Sequence, residues 1–181
     1  MNLPNYITLF RILIVPFFFT QLVSYHPGEE HGRVLALSIL LAACLSDAID
    51  GFLARALNQQ TALGRFLDPL ADKLLILSGF LGLLFVTHLP YRPPLWITVT
   101  IVFRELIIIL GLLVLFLIKE KIEIRPNLLG KFCTAFQMAT LCSILLLWKV
   151  TVPLAYITAL LTIASCLVYV TRELKGIQSF S

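Results

Sequence analysis

Six apolar runs separated by short polar breaks constrain this chain more than any other feature. They extend from Ile7 to Ser24, Val34 to Leu53, Leu67 to Val86, Leu95 to Ile118, Phe132 to Trp148 and Leu154 to Val170. Each approaches the roughly 17–25 residues that carry an α-helix across a hydrocarbon core at about 1.5 Å per residue. They are apolar almost all round, as helices buried in lipid are. Apolar residues make up 59% of the chain and charged residues 13%, against about 45–50% and 25% in a soluble domain. In water such a chain exposes large apolar patches. The same figures exclude a disordered chain, a secreted disulfide scaffold and a typical nucleic-acid binder. The expected fold is all-α: an integral membrane bundle of six transmembrane helices in a single domain over residues 1–181, with no repeat or linker.

The first run is read as a retained helix. It lacks a basic leader, carries Arg11 within it and shows no small-residue cleavage pattern. Cys44, Cys133, Cys142 and Cys166 each sit in an apolar stretch without C-x-x-C spacing, and read as packing residues. Net charge is +4, and its distribution sets topology. Arg55, Arg65, Lys119, Lys121, Arg125, Lys131, Arg172 and Lys175 fall in or beside the breaks after the second and fourth runs and in the tail. Arg33, Arg92 and Lys149 fall on the other side. The bias places both termini and the 54–66 and 118–131 loops in the cytoplasm.

Against so few charges the aspartates stand out. Asp47, Asp50, Asp68 and Asp72 are the only four in the chain and lie within one 26-residue window. A carboxylate within a span costs about 2.5–3.5 kcal/mol on insertion scales. Asp47, Asp50, Gly51 and Ala54 follow i, i+3, i+4, i+7, and Gly64, Asp68 and Asp72 follow i, i+4, i+8, so each set shares a helix face. Consecutive antiparallel helices can oppose these faces, and four gathered carboxylates repel unless cations lie between them. All-oxygen donors select Mg²⁺ or Mn²⁺, with Ca²⁺ left open. A two-metal arrangement suits phosphoryl displacement. Small residues on the same faces leave room for close backbone approach, and Arg55 is placed to meet a phosphate. The competing readings are helix packing for the glycines and an ion or proton path for the carboxylates.

The segment Asp47-Ala-Ile-Asp50-Gly51-Phe-Leu-Ala54-Arg55, then eight residues, Gly64, three residues, Asp68, three residues and Asp72, matches D-x2-D-G-x2-A-R-x8-G-x3-D-x3-D at all eight fixed positions. The chain thereby resembles the CDP-alcohol phosphatidyltransferases. The opening PNYITLFRILIVP, Phe103-Arg104-Glu105, and the segment from Asn127 through Gly130, Lys131 and Thr134 to Gln137 resemble the bacterial members that make phosphatidylglycerophosphate.

The resemblance implies an enzyme that transfers the phosphatidyl group of CDP-diacylglycerol to an alcohol and releases CMP. It makes Asp47, Asp50, Asp68 and Asp72 metal ligands for two Mg²⁺ or Mn²⁺ ions and Asp72 also the general base. Asp47, Asp50, Gly51, Ala54, Arg55 and Gly64 line the nucleotide. It further implies a homodimer in the bacterial inner membrane, with the site facing the cytoplasm.

Glycerol 3-phosphate as acceptor requires a second cationic site, for which Arg104, Arg125 and Lys131 are the candidates. For Arg104 a structural ion pair with Glu105 or an aspartate competes equally. Asn5, Thr8 and Arg11 are spaced to face the site and are weaker candidates. Lys73 reads as a local neutraliser. Lys119, Glu120, Lys121 and Glu123 read as a solvated loop near headgroups, and His26, His31 and His88 carry no assigned role. Alternatives are the same chemistry with phosphatidylglycerol or inositol phosphate as acceptor and, from another class, a small cation or proton transporter.

Overall fold

A computed structural model describes the backbone of residues 3–28, 30–56, 62–118 and 128–178, and the side chains of 6, 8–28, 30–46, 64, 67–114 and 128–168. Six helices follow one another: α1 (Leu3–Val23), α2 (Glu30–Ala56), α3 (Ala62–Phe85), α4 (Leu95–Ile118), α5 (Leu128–Leu145) and α6 (Thr151–Gln178). No strand occurs among the described residues. Three helices contain stretches long and apolar enough to cross a bilayer: Leu95–Val114, Leu128–Leu145 and Thr151–Val168. A shorter apolar stretch covers Thr8–Val23 of α1.

Each apolar run lies largely within one helix, but the helix ends differ. α1, α2, α3 and α5 each begin about a turn before their runs, and α6 continues two turns past its run. Hydropathy reports where a helix meets lipid. The backbone ladder continues through polar residues that hydropathy leaves out. α5 differs at its other end, stopping at Leu145 although apolar residues continue to Trp148. The Trp148 amide donates to the Ser143 carbonyl and the Leu147 amide to the Ile144 carbonyl, both at 3.0 Å. Leu147 has φ 55°. These are the bonds of a Schellman cap, with leucine where glycine is usual. Arg33 of α2 donates to the Leu145 carbonyl, one of the carbonyls left over at that helix end.

α3 packs between α1 and α4, while α1 also lies against α2. α5 and α6 form a second close pair, joined to the rest through α4–α6 and through lighter contacts of α5 with α2 and α3. The core runs through Phe18 and Leu22 of α1, Leu40 of α2, Leu75, Ile76 and Phe80 of α3, Ile97 and Ile101 of α4 and Leu141 of α5. Glycines permit the close approach within it. A Cβ added at Gly79 meets Leu141 Cδ1 at 2.8 Å, and one at Gly82 meets Leu22 Cδ2 at 2.7 Å.

Phe10, Leu13, Phe17, Phe85, Leu110, Leu160 and Leu167 point outward, an apolar exterior that lipid accommodates and water does not. Hydroxyls tie α5 to α6: Thr140 and Thr158 meet at 2.8 Å, and Cys133 Sγ lies 3.5 Å from Thr162 Oγ1. Such contacts act as interhelical glue in membranes. All four cysteines are free thiols.

Candidate active site

Asp68 and Asp72 lie one turn apart on one face of α3 and are both half-buried, with Gly64 buried one turn earlier. The face meets α1. Thr8, fully buried, donates through Oγ1 to Asp68 Oδ1 at 2.6 Å. Arg11, 1% exposed, places NH1 3.0 Å from Asp72 Oδ1. The two contacts advance together along both chains, so α1 and α3 run parallel here, and positions i and i+3 of one meet i and i+4 of the other. Such partners offset the cost of burying a carboxylate inside an apolar bundle. Pro69, between the two aspartates, removes one amide from the α3 ladder.

On another side of α3 lies a second, deeper polar cluster. Lys73 Nζ is 3.0 Å from Glu105 Oε2 of α4 and donates to Thr134 Oγ1 of α5 at 3.2 Å. Glu105, whose side chain is wholly buried, also pairs with Arg104 and accepts from Gln137 Nε2 at 2.9 Å. Arg104 NH2 donates to Ser165 Oγ of α6 at 3.0 Å. Side chains of α3, α4 and α5 therefore converge on one carboxylate that compensates two cations, and α6 joins the cluster through Arg104.

Of the residues singled out from sequence, Thr8, Arg11, Asp68 and Asp72 come together between α1 and α3. Arg104 lies in the second cluster, engaged with Glu105 and Ser165. Lys131 is exposed on the first turn of α5. Asp47, Asp50, Gly51, Ala54 and Arg55 belong to the last turns of α2 and Asn5 to the first turn of α1. Their side chains lie outside the described residues, as does the whole of Arg125. Among the described residues no three His, Cys, Asp or Glu side chains gather around a common point.

Sequence reasoning missed the roles of Lys73, Thr134 and Gln137. Thr134 and Gln137 were visible as polar residues at i, i+3 in an apolar helix. Lys73 was visible as a cation immediately after the last aspartate.

A family model described as CDP-alcohol phosphatidyltransferase matches residues 1–168. Three bacterial proteins named CDP-diacylglycerol–glycerol-3-phosphate 3-phosphatidyltransferase are similar. The one from Wigglesworthia glossinidia brevipalpis is 39% identical over 158 residues, covering 83% of this chain and 79% of its own. The Aquifex aeolicus protein is 35% identical over 144 residues, covering 80% and 75%. The Shigella flexneri serotype 5b protein is 34% identical over 180 residues, covering 94% and 93%. With the signature complete, two of its aspartates set against α1, and relatives matching along most of their length, the chain belongs to the CDP-alcohol phosphatidyltransferase family.

Proposed function

We propose that this chain transfers the phosphatidyl group of CDP-diacylglycerol to the hydroxyl of glycerol 3-phosphate, releasing CMP and forming phosphatidylglycerophosphate. The observation that carries the reading is the Asp68–Asp72 face of α3, buttressed by Thr8 and Arg11 within the complete eight-position signature. The names of the similar proteins favour glycerol 3-phosphate over the other acceptors.

The donor set suits a divalent metal. Asp68 and Asp72 offer hard oxygen ligands one turn apart, each steadied through Oδ1 by a donor from α1. Asp47 and Asp50 supply the other two carboxylates in this reading. Two Mg²⁺ or Mn²⁺ ions held there supply charge stabilisation to the phosphoryl oxygens during displacement.

The acceptor hydroxyl oxygen attacks the phosphorus that bears diacylglycerol. Its proton passes to Asp72, the bond from that phosphorus to the CMP oxygen breaks, and CMP leaves with the electron pair. Arg11 holds the Asp72 carboxylate in a fixed orientation. Gly51, Ala54, Arg55 and Gly64 line the nucleotide. Arg104, Arg125 and Lys131 are the acceptor-side cations. Support for Arg104 is its burial within an apolar helix, where a cation is costly and marks a functional site by default.

The six helices all span the membrane in this reading, with both termini and the site on the cytoplasmic side of a bacterial inner membrane, as the Lys/Arg distribution favours. A homodimer follows from the family resemblance. The test compares purified wild type with Asp72→Asn in detergent, with CDP-diacylglycerol, Mg²⁺ or Mn²⁺ and glycerol 3-phosphate. Wild type releases CMP, while the variant keeps its helix content and releases none. Retained turnover in the variant removes Asp72 as the base.

A further inference from the structure

Asp72 and Lys73 are neighbours in sequence with opposite charges, and they leave α3 about 100° apart. Asp72 reaches α1 and meets the buried cation Arg11 at 3.0 Å. Lys73 reaches α4 and α5, meeting the buried anion Glu105 at 3.0 Å and Thr134 at 3.2 Å. Turning α3 about its axis in either direction breaks one of these contacts. Between the two aspartates the helix is weakened by Pro69, which contributes no amide to the ladder. The direction in which the carboxylates face is therefore set by side-chain anchors on both sides of α3 as well as by its backbone.

We propose that Lys73 and Glu105 are a positioning pair, fixing the rotation of α3 so that Asp68 and Asp72 face α1 and the reacting groups. Neither residue touches substrate. Glu105 is held in turn by Arg104 and Gln137, so the anchor is rigid and tied to α4, α5 and, through Ser165, α6. Lys73 and Glu105 thus stand behind the metal-binding carboxylates as outer-shell partners stand behind first ligands. The inference rests on the assignment of the aspartates made above.

The test uses the full chain in detergent and compares wild type, Lys73→Met, Lys73→Gln and Lys73→Arg. Mn²⁺ affinity is read from the paramagnetic resonance signal of free Mn²⁺, alongside melting temperature and the kinetics of CMP release. Lys73→Met leaves Arg104 and Glu105 as a neutral pair, so its fold is retained. It is expected to bind Mn²⁺ about 10- to 100-fold more weakly and to lose kcat in similar measure, with KM for glycerol 3-phosphate unchanged. Lys73→Gln shows the same defect, and Lys73→Arg recovers most of the Mn²⁺ affinity.

Wild-type Mn²⁺ affinity in both neutral variants overturns the proposal. So does a rise confined to the KM for glycerol 3-phosphate, which makes Lys73 an acceptor ligand. So does a collapse of melting temperature in both neutral variants that Lys73→Arg does not reverse, which makes the pair a general staple. Failure of wild type itself to bind Mn²⁺ and release CMP strikes instead at the aspartate assignment.

Discussion

Replacing Glu105 by glutamine changes one oxygen to an amide and nearly preserves volume. It removes the only negative charge among the described residues of its cluster. The side chain is 0% exposed, and the side chains of Lys73 and Arg104 are 12% and 4% exposed. The variant therefore keeps two cations in a low-dielectric interior with no carboxylate between them. Removing one partner of a buried pair costs about 3–5 kcal/mol, and here two cations lose the same partner, so the effect belongs at the upper end. At about 5 kcal/mol, and with each kcal/mol lowering the melting temperature of a chain of this size by about 2–4 °C, the fall is about 10–20 °C.

The assay is thermal unfolding of purified protein in mild detergent, followed by helical circular dichroism at a fixed scan rate. Lys73→Met is the internal control, because it leaves one cation and one carboxylate and should fall much less. A Glu105→Gln protein that melts with wild type, or a Lys73→Met protein that melts below it, refutes the view that Glu105 compensates two buried cations.

Two further changes test the α1–α3 interface. Arg11→Met withdraws the guanidinium from Asp72, a charge-assisted bond of about 1.5–3 kcal/mol. It should lower both the melting temperature and the rate of CMP release; an unchanged rate means that the pairing is incidental to catalysis. Gly79→Val pushes methyl groups into Leu141 and Phe18, where a single added Cβ already meets contacts of 2.8 Å and 3.4 Å. It should cost about 1–3 kcal/mol in thermal unfolding, with Gly79→Ala costing less because the terminal methyls of Leu141 can rotate aside. Equal melting of both variants and wild type contradicts the close packing of α1, α3 and α5.

How much of this was legible beforehand depends on the kind of information involved. Helix centres were readable because each apolar run falls largely within one helix. Helix ends were less so, since α1, α2, α3 and α5 begin among polar residues that continue the ladder. The end of α5 was hidden, because its left-handed cap residue is Leu147, with no glycine to announce it. The shared face of Asp68 and Asp72 followed from an i, i+4 spacing. Their partnership with Thr8 and Arg11, 60 and 61 positions away, was visible only as a weak periodicity in α1. The Lys73–Glu105 pair was not readable at all. It depends on which side of α3 meets α4, and spacing within either helix carries no such information. Arg104 stood between two readings, and the structure places it against Glu105 and Ser165.

The most direct test of the central claim follows the acceptor into lipid. Purified protein in detergent is given CDP-diacylglycerol, Mg²⁺ or Mn²⁺, and glycerol 3-phosphate labelled in its carbon skeleton. The account predicts that label enters an organic-soluble phospholipid carrying a terminal phosphomonoester, one for each CMP released, and that chelation of the metal stops both. CMP release without label in lipid contradicts the acceptor assignment, and the absence of both contradicts the phosphatidyl-transfer reading itself.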